Sequence, residues 1–436
     1  MRQDASPRIP EIVSHDVPAE VTTAESFSRA RRWFMFVVLM LPYVFYAFLW
    51  NTENFLRPYI AESLSLTKTE VSAFYSLQAL GALIGAIVLS QLADRFSRRN
   101  VYACVTIGFA IAAIGTFYVE TYVEALLQRL VMGFFLGGVF GCAVSLYIGW
   151  FSPYQRGLLA GVVQLVYNGG DALLSWTGRH FDASSWRTVL ELGGLGALIA
   201  GIAVFLFLPA DRSYRTWGDA ERSDAERSSK PDIRELFRHG RWTITIRLAL
   251  LCGLNFFAFQ TFNGWATTYL RETQGYDPDL IGKLMTSLHL GSMLGAIFWG
   301  LVGDRFGRRA SALGFALSGV FVVLYLFLPP SPVIFAVTGF VYGFGLVCTG
   351  IWGPYFAELY PENLRATAAS IFGWGRIVSL FGALISGAIA DSFGLEAAML
   401  TGSVVFLMAT GIWWSLPETL GANGNDNAKL DARRGE

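Results

Sequence analysis

Several ionisable side chains interrupt long apolar runs in this chain, foremost Arg376, Arg129, Asp171 and His289. An arginine about eleven residues into such a run is costly in hydrocarbon unless it faces a wet cavity or a carboxylate. The planar guanidinium matches a carboxylate through two parallel bonds, so Arg376 is the first candidate for holding a small organic anion. A structural ion pair inside a helical bundle is the other reading.

Arginines in a cavity need counter-charge, and few carboxylates stand inside the apolar runs: Asp171, Glu53 and Glu191. Asp171 lies deepest and is the leading proton carrier, because burial raises a carboxyl pKa, a nearby arginine lowers it, and an anion competing for that arginine would switch its protonation. The alternative is a packing Asp bonded to Arg179 or His180. Glu53 is the second proton candidate, or else an outer-rim carboxylate paired with Arg57. His289 has the one mid-run imidazole, suited to proton exchange near neutral pH or to a satisfied structural role. Hydrogen-bonding groups for a substrate are available in Asn255, Gln260, Asn263, Tyr167 and Asn168, and ring stacking in Trp374, Tyr43 and Tyr46. The spacing from 255 to 263 does not put all three amides on one helix face, so some of them serve packing.

Positioning these groups requires helices that span a membrane, each of about 20 mainly apolar residues. Twelve such runs begin near Trp33, Val71, Val101, Ala125, Gly157, Thr188, Thr243, Ile281, Ser311, Val333, Ala366 and Glu396. Hydrophobic residues make up 53% of the chain and charged residues 15%, well below the roughly one quarter of a soluble domain. With a cytoplasmic N-terminus, roughly 24 Lys and Arg fall inside and about six outside, the positive-inside pattern, so both termini are expected in the cytoplasm. Arg247, a few residues into its run, is expected to snorkel to the headgroups. Trp33, Trp150, Trp413 and Trp414 read as interfacial belt residues.

The expected organisation is a disordered cytoplasmic tail over 1–32, a six-helix bundle over 33–210, a polar cytoplasmic linker over 211–242 with a short surface helix near Asp232 to Arg238, a second six-helix bundle over 243–416, and a cytoplasmic tail over 417–436. The protein is therefore expected to be an all-α integral membrane protein of twelve transmembrane helices in two pseudo-symmetric bundles.

The halves carry a shared motif. Ser90-Gln-Leu-Ala-Asp94-Arg95-Phe-Ser-Arg98-Arg99 returns as Gly300-Leu-Val-Gly-Asp304-Arg305-Phe-Gly-Arg308-Arg309, about 210 residues on, and Phe151-Ser-Pro153-Tyr-Gln-Arg156 corresponds to Leu359-Tyr-Pro361-Glu-Asn-Leu-Arg365 at a similar offset. A duplicated bundle around a midplane site is what alternating access asks of many secondary transporters. Asp94 or Asp304 at a helix end can face the N-terminal dipole of a helix in the other half while the following arginines pair with carboxylates, holding one gate shut. Anchoring of a tight loop at the headgroups is the plainer alternative.

Other classes find little support. Cys104, Cys142, Cys252 and Cys348 fall singly inside the runs without metal-ligand spacing. There is no phosphate-cradling loop, no nucleophile and base arrangement and no cofactor motif, so neither ATP-driven pumping nor enzymatic activity is expected, and no cofactor or metal. A balance of 33 basic and 33 acidic residues gives no reason to expect nucleic acid as a partner. The expected partners are a small organic anion, protons and the lipid bilayer.

The two Asp-Arg loops, Arg129 within Arg129-x-x-x-Gly133-x-x-x-Gly137, and twelve spans resemble the major facilitator superfamily over nearly the whole chain. The resemblance implies the major facilitator fold, a monomer, gating by the loop residues together with Arg156, Glu358 and Arg365, and an Arg129 linked with proton coupling or helix packing. Ser90 and Ser97 replace the glycines usual in the first loop. Glu358-Leu-Tyr-Pro361-Glu-Asn-Leu-Arg365, Gly373-Trp-Gly375-Arg376 and Pro417-Glu418-Thr419 are similar to the metabolite:proton and organic-ion symporter branches, which include aromatic-acid, sialate and monocarboxylate carriers and sugar porters. Many aromatic-acid symporters have Asp-Gly-x-Asp in helix 1, where this chain has Leu49, Trp50 and Thr52. The drug-antiporter Gly-Pro pattern is absent from Gly161 to Asp171. These features imply proton-coupled uptake of a small organic acid, an aromatic acid, monocarboxylate or sugar acid, across a bacterial-type inner membrane. The alternatives are a sugar or polyol porter, a drug exporter and a non-transporting membrane sensor.

Overall fold

In the computed structural model the chain is all-helical, and the structure describes residues 27–151, 156–210, 233–238, 240–360, 364, 368 and 371–420. Twelve long helices follow in order: α1 (Arg29–Leu64), α2 (Lys68–Arg95), α3 (Arg98–Tyr118), α4 (Tyr122–Trp150), α5 (Arg156–Gly178), α6 (Trp186–Phe207), α7 (Trp242–Thr273), α8 (Pro278–Phe306), α9 (Arg308–Phe327), α10 (Pro332–Glu358), α11 (Ile371–Phe393) and α12 (Leu395–Trp414). Among the described residues, eleven helices have the length and apolar content to cross a membrane. Large apolar side chains such as Ile199, Leu206 and Val333 remain exposed on them, as a lipid-facing surface requires.

Local chemistry fixes where the helices begin. Thr67 and Glu70 form a capping box for α2, as Thr121 and Glu124 do for α4. In the second half, Asp277 caps α8 and Ser331 caps α10, each with proline at the first helical position. All four starts lie at the end opposite the Asp-Arg loops, called here the far end; the loops define the motif end.

Within each half the same pair of helices crosses closely: α2 on α4, and α8 on α10. A Cβ on Gly137 would stand 2.1 Å from the Ala82 carbonyl oxygen, and one on Gly295 would stand 2.2 Å from that of Phe344. Glycine at these crossings lets backbones touch where lipid offers no hydrophobic drive for association. Between the halves, α2 packs on α11, α5 on α8, and α1 on α7.

Some expectations need correction. Helix α1 starts at Arg29 rather than Trp33, since the Ser28 side chain accepts from the Arg31 amide and supplies a cap within the expected tail. Trp150 and Trp413 are fully buried and so do not face lipid as belt residues would; Trp413 packs edge-on against Phe315 and Trp352 inside the second half. Arg247 is exposed and donates to the Ser415 carbonyl at 3.1 Å. The short linker helix is a single 3₁₀ turn, Ile233–Leu236. The expected tail over 1–26, most of the linker (211–232) and the chain beyond 420 lie outside the described residues.

Candidate functional site

Arg376 of α11 reaches across the interface between the halves. Its guanidinium carbon lies 5.3 Å from the centre of the Trp50 ring of α1, and Tyr46, Tyr75 and Tyr167 face its charge. Among the described residues, no carboxylate lies within ion-pair distance of it. The rings form a continuous set: Tyr43 and Tyr46 are 5.2 Å apart, Tyr46 and Tyr167 5.9 Å, Tyr46 and Trp50 5.9 Å, and Trp50 and Tyr75 6.3 Å. Tyr75 also accepts a hydrogen bond from Ser379, one turn beyond Arg376 on α11. A cation at mid-depth, walled by aromatic faces, is a setting for a planar anion.

Next to it stands a polar chain anchored on Asn51, a residue that pattern reading passed over. Its Nδ2 donates to Asp171 Oδ1 at 2.6 Å and to the Tyr167 hydroxyl at 3.1 Å. Asp171 is 4% exposed, and its other oxygen lies 4.0 Å from His289 Nδ1 of α8, in the opposite half. The expected alternative partners are engaged elsewhere: Arg179 donates to His180, stacks on Trp176 and reaches Asp279.

Glu53 and Arg57 do form the anticipated pair, at 2.6 Å, but not on a rim. Both side chains are essentially inaccessible, because the Trp265 ring of α7 covers the guanidinium at 4.3 Å. Arg129 donates to Thr52 at 2.9 Å and to Gln78 at 3.4 Å, while Gln78 holds the Trp50 carbonyl at 2.9 Å. Arg129 thus braces the helix that presents Trp50. Both amide atoms of Gln260, the carbonyl oxygens of Asn263 and Asn54, and Glu53 Oε2 are buried without a hydrogen-bond partner in the protein, an arrangement that favours water or a ligand between α1 and α7. Asn255 is buried on the same helix, and Asn168 is turned to its own helix, donating to Gln164 at 2.8 Å. Trp374 is drawn away from the anion setting, stacked on Phe237 at 6.3 Å and 2°.

At the motif end, Arg308 pairs with Asp304 at 2.6 Å and Glu358 at 2.8 Å, all within the second half. Glu418 accepts from the backbone amides of both Arg308 and Arg309, at 2.8 and 2.9 Å, which holds its carboxyl below the ordinary glutamate range. Arg309 donates to the Trp414 carbonyl, and Arg305 and Arg95 lie over the rings of Phe306 and Phe96. Arg99 bonds the Leu208 carbonyl at 3.0 Å, and Arg98 opens α3 beside Ser97. The side chains of Asp94 and Arg156, and the whole of Arg365, lie outside the described residues.

Contacts joining the halves gather at the far end. Asp391 of α11 caps the opposite half's α2, accepting from the amides of Lys68 and Thr69 at 3.1 and 2.9 Å. Lys68 pairs with Glu272 at 2.8 Å, Arg271 with Glu62 at 3.4 Å and Arg179 with Asp279 at 3.7 Å. The bundle is closed there.

This duplicated helical architecture defines a membrane transporter fold. The chain matches the Major Facilitator Superfamily over 39–285 and 248–434, and it belongs to that family. It is a multi-pass membrane secondary transporter and not an enzyme. It is 24% identical to a probable 4-methylmuconolactone transporter of Cupriavidus pinatubonensis, covering 87% of this chain and 89% of the relative. To a gallate transporter of Pseudomonas putida it is 25% identical, covering 85% and 88%. Its fold superposes with a TM-score of 0.74, at 15% identity and over 89% and 97% of the chains, on a bacterial homologue of the human lysosomal transporter Spinster in an inward-facing, unoccupied conformation.

Proposed function

We propose that the protein imports a small organic acid anion together with protons, and that an aromatic acid fits best. The observation carrying this reading is Arg376, a mid-depth cation set among Tyr46, Trp50, Tyr75 and Tyr167 with no carboxylate within ion-pair distance among the described residues. The carboxylate would lie on Arg376 and the ring against Tyr43, Tyr46 and Trp50. Asp171 would carry the proton, since Glu53 is already committed to Arg57. The far end would face the outside of a cell's inner membrane, with both termini in the cytoplasm. In the alternate state the Asp-Arg loops, with Asp94, Arg156, Glu358 and Arg365, would form the inner gate. The relatives named for muconolactone and gallate transport support an aromatic or ring-derived substrate.

A sugar or polyol porter is the second reading, favoured by the unpartnered amides of Gln260 and Asn263, which suit hydroxyl groups. Uptake into liposomes under an acid-outside gradient, across aromatic acids, monocarboxylates, sugar acids and neutral sugars, separates the two. Acid-driven accumulation of an anion, reduced by at least about tenfold in Arg376→Gln, supports the anion reading; one lost charge-assisted bond at a desolvated site is enough for that. Uptake of a neutral sugar, or an unaffected variant, transfers support to the porter.

A further inference from the structure

We propose that Asp171 and His289 share a single proton across the two halves, and that the far end of the bundle closes only when the pair holds it. This rests on the reading of Asp171 as proton carrier and adds both a second bearer and a structural event tied to it.

The two groups come from different halves, Asp171 from α5 and His289 from α8. They are 4% and 8% exposed and face one another at 4.0 Å. Toward the far end the same two helices are pressed together. A Cβ on Gly282 of α8 would stand 2.6 Å from the Ser175 carbonyl oxygen of α5, and Arg179 meets Asp279 just beyond. Opening that end parts α5 from α8, which separates Asp171 from His289 and admits water to both. Closing it buries them against each other.

In the closed state the proton count matters. With no proton, a buried carboxylate faces a neutral imidazole, with the Asn51 amide as its hydrogen-bond donor. With two, a buried imidazolium faces a neutral acid. With one proton, whether on oxygen or nitrogen, the pair is net neutral, which avoids an uncompensated buried charge. Among the described residues the surroundings supply no substitute. From α1 come Asn51 and Glu53, already ion-paired with Arg57, with Glu62 bound to Arg271; α5 adds Tyr167, Arg179 and His180, and α6 adds Arg187 and Glu191. Helix α8 adds Asp279 and Lys283, paired at 2.5 Å, and at its motif end Asp304 and Arg305; α10 carries Glu358, bound to Arg308. Arg376 faces Tyr167.

The test needs no substrate. In a background with Cys104, Cys142, Cys252 and Cys348 changed to serine, Ser72→Cys reports closure of the far end, since Ser72 is fully buried beneath Gly387. Labelling by a membrane-impermeant maleimide is measured in proteoliposomes between acid and alkaline pH. Each rate is divided by that of the same cysteine in denatured protein at the same pH, because the thiolate is the reactive form and its fraction rises with pH. The parent should be protected at acid pH and become labelled as pH rises, by up to about tenfold per pH unit, the limit for one linked proton. Asp171→Asn, near-isosteric and neutral at every pH, should stay protected throughout. His289→Gln should keep the dependence with its midpoint displaced toward acid, because one of the two sites for the proton is gone. Asp391→Asn should raise labelling overall while keeping the pH dependence. Flat labelling in the parent, parental pH dependence in Asp171→Asn, an unmoved midpoint in His289→Gln, or loss of the dependence in Asp391→Asn alone would overturn the proposal. Because no anion is present, failure here leaves the substrate reading standing, and a failed uptake panel leaves this result standing.

Discussion

The two copies of the Asp-Arg motif hold equivalent places in the two halves, yet the backbone and capping described at residues 97 and 307 differ. In the second half Gly307 takes φ 104°, which turns the chain so that Glu418 from beyond α12 can accept from the amides of Arg308 and Arg309. In the first half Ser97 stands in that position with an extended backbone, φ −172°, and its own hydroxyl accepts from the Asn100 amide. One loop is tied by a carboxylate brought from the end of the bundle; in the other, a local serine cap is the counterpart among the described residues. Among the described residues the second loop is fastened to the C-terminal segment, whereas the first carries a serine cap at the position of Gly307.

That contrast can be broken step by step. The largest effect is expected for Gly307→Ala. The residue would enter a backbone region reserved for glycine, and its Cβ would stand 2.6 Å from Glu418 Oε2, displacing the carboxylate from both amides. Strain together with a lost bond should lower stability by about 3 kcal/mol, read as a fall in melting temperature in detergent. The matching change Ser97→Gly in the first loop should cost only a few tenths of a kcal/mol, since glycine caps nearly as well as serine.

Glu418→Gln comes next, with an expected loss of about 1–2 kcal/mol near neutral pH from weakened charge-assisted bonds. Its pH dependence sharpens the comparison. A carboxyl held below its unfolded value contributes stability above that value, roughly 4.3 for glutamate, and loses it as pH falls through the folded pKa. The wild type should thus lose its advantage over Glu418→Gln as the medium is acidified below about pH 4. A constant difference between the two proteins down to that range would show that the carboxylate charge is not what ties the loop.

Ser97→Ala is the smallest of the disruptive changes, about 1 kcal/mol for a lost helix cap. If it proved as harmful as Gly307→Ala, the two loops would be equivalent after all. Among residues outside the loops, Arg376→Gln should spare stability and remove anion uptake, as set out above.

Much of this was readable along the chain. Twelve apolar runs announced twelve helices because lipid forces each spanning segment to be long, apolar and internally hydrogen-bonded. The Glu53–Arg57 pair was legible as well, since four residues on a helix bring side chains together. Its burial was not, because that depends on Trp265, more than 200 residues away. Asn51 escaped notice because an asparagine in an apolar run carries no charge to mark it, although it bonds both Asp171 and Tyr167. Trp374 looked like a substrate-facing ring next to Arg376, but residues two apart on a helix point in different directions, and it stacks on Phe237 instead.

By itself the sequence determined the duplication, the spanning helices and the presence of costly ionisable groups within them, because hydropathy, caps and repeated motifs are local properties. Only the tertiary structure decided that Arg376 meets aromatic rings without a carboxylate, that Asp171 faces His289 across the halves, and that the bundle is closed at the far end. Those outcomes depend on how each helix is rotated and which half it meets. In a membrane that rotation is set by packing against neighbouring helices, since the solvent side is as apolar as the core.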